Sequence, residues 1–233
     1  MTRVMLVGLD FDRVGAGYKG GLYVEIAPHS FSVQLQRGAR LNQLRLMQGD
    51  PQTNDDRLRN LETQQRLVWE REEAVQATIA DGLWFSVDLE GELPSGDPVI
   101  GYRALPRAPV IDLDAPDLLD PREYWEPVHR PASDYLILEP GEFYILGSKE
   151  QVRVPNDYAA EMVSYDPSVG EFRVHYAGFF DPGFGYGEAD ILGTRAVLEV
   201  RSHDVPFLLR HGQRVGRLQY ERLTAEAHKI YGA

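Results

Sequence analysis

The chain has 233 residues, of which 43% are hydrophobic, and it contains no cysteine. It is long enough to bury a substantial core, while the missing thiols exclude disulfides, thiolate zinc sites and a cysteine nucleophile. The formal charge of −12 argues against a general nucleic-acid binder, because such binding needs clustered Lys and Arg, but a few well-placed arginines suffice for a phosphorylated small molecule.

The sequence has no run of 18 apolar residues, and its N-terminus lacks the pattern of a signal peptide. A membrane-spanning helix needs about 20 predominantly apolar residues, and a secretory signal needs a longer apolar region than this start provides. We therefore expect a cytoplasmic protein with no membrane association.

The first predicted elements lie between Tyr23 and Leu46, where YVEIAPHSFSVQLQRGARLNQLRL reads as two short strands, a glycine turn and a last strand. The next segment, 53–77, predicts a helix that joins two β units. It begins with candidate N-caps and repeats apolar residues near one face. The candidate caps are Thr53, Asn54 and Asp55, and the apolar residues are Leu58, Leu61, Val68 and Val75.

From Gly82 onward, short alternating apolar runs are cut by Gly, Pro, Asn and Asp. Strands at this spacing are typical of a sandwich, jelly roll or barrel. The Pro- and Asp-rich stretch 93–131 predicts extended loops with room for one strand pair, since proline cannot donate to a strand ladder.

The segment 24–46 recurs without gaps at 198–220, an offset of 174 residues. The identical pairs are Glu25/Glu199, His29/His203, Leu35/Leu209, Gly38/Gly212, Arg40/Arg214 and Leu44/Leu218. Such self-similarity predicts a repeated structural unit; two unrelated hairpins with similar alternation remain the alternative. The repeat predicts the C-terminal part of a first domain at 1–50, a helical connector at 51–81 and a complete second domain at 82–233.

Two elements carry residues suited to chemistry. Alternation in TRAVLEVRS places Val197, Glu199 and Arg201 on one face of a strand, so Glu199 lies either on a solvent face or in a pocket where burial raises its pKa. In AGFFDPGFGYG, Asp181 precedes a Pro-Gly turn among aromatic rings. That segment is either an ordinary β-turn or the floor of a site for a flat ring and a sugar.

Five phrases occur in a characteristic order: LEPGEFYIL at 138–146, VRVPNDYAA at 152–160, FDPGF at 180–184, VLEV at 197–200 and GQRVGRL at 212–218. Together they resemble the dCTP deaminase branch of the dUTPase-like superfamily. The match covers about 82–225, and GYKGGLYVEI with GARLNQLRL resembles the back half of the same domain, as in double-domain members. The resemblance leads us to expect a chain truncated at both ends.

The resemblance implies a mainly β, distorted jelly-roll or β-barrel fold and a homo-oligomer, usually trimeric or pseudo-trimeric. It implies hydrolysis of dCTP to dUTP and ammonia without zinc, in deoxynucleotide biosynthesis. The general acid–base role falls on Glu199 and, in the partial copy, on Glu25. Mg²⁺ accompanies the triphosphate without protein metal ligands, and dTTP or dUTP is an expected inhibitor. The residues that we expect to bind the nucleotide are Asp181, Gly183, Phe184, Ser168, Arg195, Arg217 and Gln43.

One phrase departs from the family pattern. The usual GRSSLAR phosphate loop is replaced by YDPSVGEF at 165–172, which keeps Ser168 but not the arginine. Possible phosphate partners elsewhere are Arg173, Arg195, Arg201, Arg214 and Arg217. The alternatives are a dUTPase, a bifunctional deaminase–diphosphatase, or a catalytically impaired nucleotide-binding or assembly domain of the same fold.

Overall fold

The computed structural model describes residues 2–5, 14–41, 43–91, 98–115, 118–164, 172–174, 178–187, 191–202 and 204–231. The strands are β1 (Thr2–Met5), β2 (Tyr23–Ile26), β3 (Val33–Gln34), β4 (Val68–Glu70), β5 (Glu73–Ala74), β6 (Leu83–Ser86), β7 (Val99–Ala104), β8 (Ile111–Asp112), β9 (Trp125–His129), β10 (Tyr135–Leu138), β11 (Phe143–Val152), β12 (Tyr158–Ser164), β13 (Phe172–Val174), β14 (Phe179–Phe180), β15 (Thr194–Ser202), β16 (Phe207–Arg210) and β17 (Arg214–Arg222). A helix, α1, spans Asp55–Gln65, and a 3₁₀ turn spans Pro121–Glu123.

The chain divides into two compact units, Met1–Leu46 with Ala104–Trp125, and Met47–Arg103 with Glu126–Ala233. In the first unit β1 pairs antiparallel with β2, and β3 pairs parallel with β8. The second unit holds the larger sheets. The predicted domain boundaries at 50 and 81 stay a prediction.

The helix α1 begins as predicted but ends early. Asn54 is its N-cap, with its side chain accepting a hydrogen bond from the Arg57 amide at 3.0 Å. The prediction of a helix as far as Ala77 was wrong, because the residues after Gln65 form the hairpin β4–β5. Val68 and Trp69 suit a pleated strand better than a helix, and both pair with the end of β11.

The described part of the second unit contains two larger sheets and the two-stranded pair of β10 and β16. One has the order β13-β15-β11-β4-β5, with β7 added to β11 and β9 to β7; the other has the order β14-β12-β17-β6. Most neighbours are distant in sequence, as in jelly rolls, which confirms the prediction of a mainly β fold. The strands β7, β8 and β9 give 93–131 more strand structure than the single pair predicted there.

The core of the second unit lies on the inner faces of these strands. Leu83 and Phe85 of β6, Leu198 of β15 and Leu218 of β17 are at most 1% exposed. Tyr220 is also fully buried, and its hydroxyl donates to the Arg153 carbonyl oxygen at 2.6 Å. Burial raises the pKa of this phenol, so Tyr220 is a neutral, structural hydrogen-bond donor.

The repeated segment makes the same turn in both copies. The Ala39 amide donates to the Gln36 carbonyl oxygen at 3.1 Å, and at the positions offset by 174 the Gln213 amide donates to Arg210 at 3.0 Å. The glycine between them has a positive φ in each copy, +97° at Gly38 and +74° at Gly212. A shared turn at aligned positions supports a structural repeat over two unrelated hairpins.

Candidate active site around Glu199

Glu199 lies near the middle of β15, a strand with neighbours on both sides. Its position is directly opposite Ile145 of β11, and the next residue, Val200, is opposite Val174 of β13. Along β15, Ala196, Leu198 and Val200 are buried. The predicted alternation is therefore confirmed, and Glu199 is on the outer face of the sheet.

The carboxyl of Glu199 is half-buried rather than fully solvated. Burial raises the pKa of Glu199 above its ordinary value of 4.5, because a low-dielectric surrounding disfavours the charged form. Of the two environments left open by the sequence, a fully solvated face does not fit, because Glu199 is partly desolvated. A carboxyl group with a raised pKa is suited to taking up and returning a proton near neutral pH.

The Arg201 side chain shares the face of Glu199, two residues further along β15. Its Nη1 donates to the Gly141 carbonyl oxygen at 2.7 Å, and its guanidinium lies 5.5 Å from the centre of the Phe143 ring. Both contacts come from the LEPGEFYIL segment. The Arg201 side chain is thus anchored to that segment.

The turn after β14 contains Asp181 and Gly183. The Phe184 amide donates to the Asp181 carbonyl oxygen at 3.1 Å, and the Gly183 amide donates to Val154 at 2.9 Å. Gly183 has φ +82°, and a Cβ at this position would lie 2.3 Å from the Cβ of Ile230. The backbone requires glycine here, so Gly183 has a structural role in addition to any contact with a nucleotide.

The aromatic rings around this turn are mostly inside the protein. Phe184 is 9% exposed, and its ring centre lies 4.8 Å from Phe180 and 5.3 Å from Tyr231. Neighbouring side chains cover the Phe184 ring, so it presents little surface to a base. Phe179, which is 42% exposed, presents more aromatic surface.

Two arginines predicted to bind phosphate are paired with carboxylates. Arg195 Nη1 lies 2.9 Å from Oδ2 of Asp88, a residue only 2% exposed, and Arg217 Nη2 lies 2.7 Å from Asp81 Oδ2. Either arginine must exchange a carboxylate for a phosphate before it can bind nucleotide. Asp88 is not among the predicted site residues, since in LWFSVDLE it alternates with apolar residues like a solvent-facing residue.

The remaining predicted residues are less informative. Glu25 on β2 and Gln43 lie in the first unit, and both are exposed. Ser168 lies outside the described residues. The assignments of all the predicted site residues to catalysis or nucleotide binding stay predictions.

A small cavity of about 110 Å³ does not include Glu199. Its lining holds as many acidic as basic residues: Glu70, Arg71, Asp88, Glu90, Lys149 and Arg195. Several of these charges neutralise one another, with Lys149 Nζ 3.0 Å from Glu70 and Arg71 in contact with Glu90. The cavity is smaller than ordinary ligand pockets, so it does not replace the Glu199 face as the candidate site.

Two other features concern possible partners. Among the described residues, no group of three or more His, Cys, Asp or Glu side chains is arranged to hold a metal ion. No helix in the described part of the chain is long and apolar enough to cross a membrane.

Comparison with known proteins decides the family. Residues 54–233 match the family model of the 2'-deoxycytidine 5'-triphosphate deaminase (DCD) C-terminal domain, and residues 1–50 match that of the N-terminal domain. The chain belongs to the dCTP deaminase family. The predicted family resemblance and dUTPase-like β fold are therefore confirmed.

Solved and curated members of the dCTP deaminase family cover different shares of the chain. It is similar to the crystal structure of 2'-deoxycytidine 5'-triphosphate deaminase from Agrobacterium tumefaciens, with a TM-score of 0.87 and 45% identity over 98% of this chain and 65% of that one. A Halobacterium salinarum relative named "dCTP deaminase, dUMP-forming" is 33% identical over 63% of this chain and 73% of its own length. A Methanobrevibacter smithii relative of the same name is 34% identical over 52% of this chain and 59% of its own length. The chain thus spans about two thirds of the Agrobacterium protein.

Proposed function

We propose that this chain catalyses the hydrolytic deamination of dCTP to dUTP and ammonia, with Glu199 as general acid–base. The observation that carries the proposal is the half-buried carboxyl of Glu199, whose pKa is raised by burial. It lies on the VLEV strand of a dCTP deaminase family domain.

The proposed reaction needs one group that moves protons between water and the pyrimidine ring. The Glu199 carboxylate accepts a proton from the water that attacks C4, and the ring nitrogen N3 is protonated by the resulting carboxylic acid. Glu199 then takes the proton of the new C4 hydroxyl and delivers it to the amino group, so the C4 carbonyl forms as the C–N bond breaks and ammonia leaves. The balance is dCTP plus water to dUTP plus ammonia. The raised pKa of Glu199 favours both uptake and release of the proton, because it is closer to the pH at which the enzyme works than an ordinary carboxyl pKa is.

Several features of the proposal rest on the family resemblance. They are the trimeric or pseudo-trimeric assembly, the cytoplasmic location, Mg²⁺ bound with the triphosphate, inhibition by dTTP or dUTP, contact of Asp181 with the deoxyribose, and participation of Glu25. Each is part of the proposal. Analytical ultracentrifugation and nucleotide titration measure the assembly and the inhibitors.

The product distinguishes two versions of the activity. The curated relatives are named as dUMP-forming, so a bifunctional deaminase–diphosphatase is the second candidate. Incubation with dCTP and Mg²⁺, followed by separation of the nucleotides and measurement of ammonia, decides between them. We expect dUTP with one ammonia per nucleotide; dUMP with diphosphate supports the second candidate.

The same assay tests whether the chain is an enzyme at all. If no ammonia appears, while dCTP or dTTP still raises the melting temperature, the chain is a nucleotide-binding domain without deaminase activity. If neither ammonia nor thermal stabilisation is seen, the proposal as a whole is wrong.

A further inference from the structure

We infer that Tyr102 is a substrate-binding residue of the Glu199 site, where its ring packs against the pyrimidine ring of the nucleotide. The inference rests on the proposed function, because the nucleotide in question is the one on which Glu199 acts. Tyr102 is not among the predicted site residues, whose aromatic member is Phe184.

The strand register places Tyr102 in one row with Glu199. On β11, Ile145 is directly opposite Glu199 of β15 on one side and Tyr102 of β7 on the other. Directly opposite residues of antiparallel strands share one face of a sheet, so all three side chains lie on the outer face. Two strand spacings separate the Cα atoms of Glu199 and Tyr102 by roughly 10 Å. A pyrimidine ring fits into this interval above Ile145.

Contacts on the inner face fix the direction of the Tyr102 side chain. The next residue, Arg103, contacts Glu126, and its Nη1 lies 2.9 Å from Glu142 Oε2. Arg103 is directly opposite Tyr144, which is 3% exposed. Neighbouring residues of a strand point to opposite faces, so Tyr102 points away from the core. Its side chain is 47% exposed, which leaves ring surface for a ligand.

The strands β7 and β11 approach each other closely beside Tyr102. A Cβ at Gly101 would lie 2.3 Å from the Ile145 carbonyl oxygen and 2.7 Å from Leu146 Cδ2. The strand pair therefore requires glycine at this position, and the backbone that carries Tyr102 has little room to shift. A binding residue on such a rigid element holds its contact with a ligand more precisely than one on a loop.

The three side chains of the row suit different parts of a cytosine ring. Glu199 faces the edge that carries C4 and N3, the half-buried Ile145 offers an apolar floor, and Tyr102 offers an aromatic ring to the rest of the base. Aromatic rings attract each other in offset or edge-to-face arrangements. The contact with Tyr102 holds C4 close to the Glu199 carboxyl and does not involve the phosphates.

Other aromatic residues are less suited to this contact. Phe143, also on the outer face of β11, has the Arg201 guanidinium 5.5 Å from its ring centre. Phe179 lies on β14, which belongs to the other large sheet, and the Phe184 ring is covered by its neighbours. Tyr102 combines exposure with a place in the row of Glu199.

Calorimetric titration of the whole chain tests the inference. The ligands are dCTP and tripolyphosphate, of which only dCTP carries the base. The variants are Tyr102→Ala, Tyr102→Phe and, as a control for loss of exposed apolar surface, Leu208→Ala on β16, where the side chain is 43% exposed. Thermal melting checks folding; if Tyr102→Ala does not fold, Tyr102→Leu, which keeps apolar bulk but not the ring, takes its place.

We expect Tyr102→Ala to weaken dCTP binding by about 5- to 100-fold, as for loss of stacking between a base and an aromatic side chain, and to leave tripolyphosphate binding unchanged. Tyr102→Phe, which keeps the ring, and Leu208→Ala are expected to bind both ligands like the wild type. Unchanged dCTP binding by Tyr102→Ala overturns the inference. So does an equal loss of tripolyphosphate affinity, an equal loss of dCTP affinity in Leu208→Ala, or a wild type that does not bind dCTP.

This experiment separates the inference from the proposed function. A wild type whose dCTP affinity depends on Tyr102 but that releases no ammonia contradicts the deaminase proposal and supports the inference. Release of ammonia from dCTP with an unchanged KM in Tyr102→Ala supports the deaminase proposal and contradicts the inference.

Discussion

The two copies of the repeated segment, 24–46 and 198–220, make the same turn but are buried to different extents. Leu35 is 41% exposed, whereas the aligned Leu209 is fully buried. Glu25 is exposed, whereas Glu199 is half-buried. The turn depends on a few adjacent residues, and burial depends on the strands that surround each copy. An acid–base site therefore needs the surroundings of the second copy as well as the glutamate.

The neighbouring strands account for the difference in burial between the two copies. In the second unit β15 lies between β11 and β13, and β17 lies between β12 and β6. In the first unit β2 pairs with β1, and 43–46, which align with 217–220 of β17, form no strand. The following predictions test this account, starting with the largest expected effect.

Truncation of the aligned leucines, Leu218 and Leu44, is expected to show the largest difference in stability between the two copies. Leu218 is fully buried and Leu44 is 68% exposed. Leu218→Ala is expected to lower the free energy of unfolding by about 2–5 kcal/mol, since it leaves a cavity. Leu44→Ala is expected to change it by less than about 0.5 kcal/mol. Urea denaturation measures both, and equal losses contradict the account.

Substitutions of the aligned glycines, Gly38 and Gly212, test the turn that both copies share. Gly38→Ala and Gly212→Ala each force a side chain into a left-handed conformation, although a Cβ at either position has open space. Each is expected to destabilise its own turn by about 1–2 kcal/mol. Hydrogen exchange of the Ala39 and Gln213 amides measures the two turns separately. Destabilisation of the turn in only one copy indicates that the two turns differ.

The pH dependence of stability tests the environment of Glu199. Burial raises the folded-state pKa above 4.5, so the contribution of Glu199 to stability is fully present below the unfolded-state pKa and is lost as pH rises through the folded-state value. Glu199→Gln stays neutral at every pH. It is expected to melt on the order of 1–3 °C above the wild type at pH 8 and equally near pH 4.

Glu25→Gln is the matched control for that experiment. Because Glu25 is exposed, its substitution is expected to shift the melting temperature by less than about 1 °C at either pH. A gain at pH 8 as large as that of Glu199→Gln is evidence against a special environment in the second copy.

The sequence was sufficient to predict the mainly β fold, a helix start among the candidate caps Thr53, Asn54 and Asp55, and the strand alternation around Glu199. Each depends on local pattern or on alternation along a strand. The helix end was missed, since Val68 and Trp69 fit the helical periodicity and are drawn into a sheet by β11, which lies about eighty residues later.

The partners of the candidate site residues could not be predicted for the same reason. Asp88 meets Arg195, and Asp81 meets Arg217, over sequence separations of more than a hundred residues. The covering of Phe184 by Tyr231 depends on the path of the C-terminal segment. Residue types and spacing indicated which side chains were suitable, but only the tertiary structure shows which charges are already paired.

The most direct test of the central claim is the rate of ammonia release from dCTP by the wild type, Glu199→Gln and Glu25→Gln under identical conditions. The account predicts that Glu199→Gln lowers kcat by about 10²- to 10⁴-fold, as for removal of a general acid–base, and that Glu25→Gln lowers it less than about tenfold. Equal losses in the two variants, or an unchanged kcat in Glu199→Gln, contradict the account.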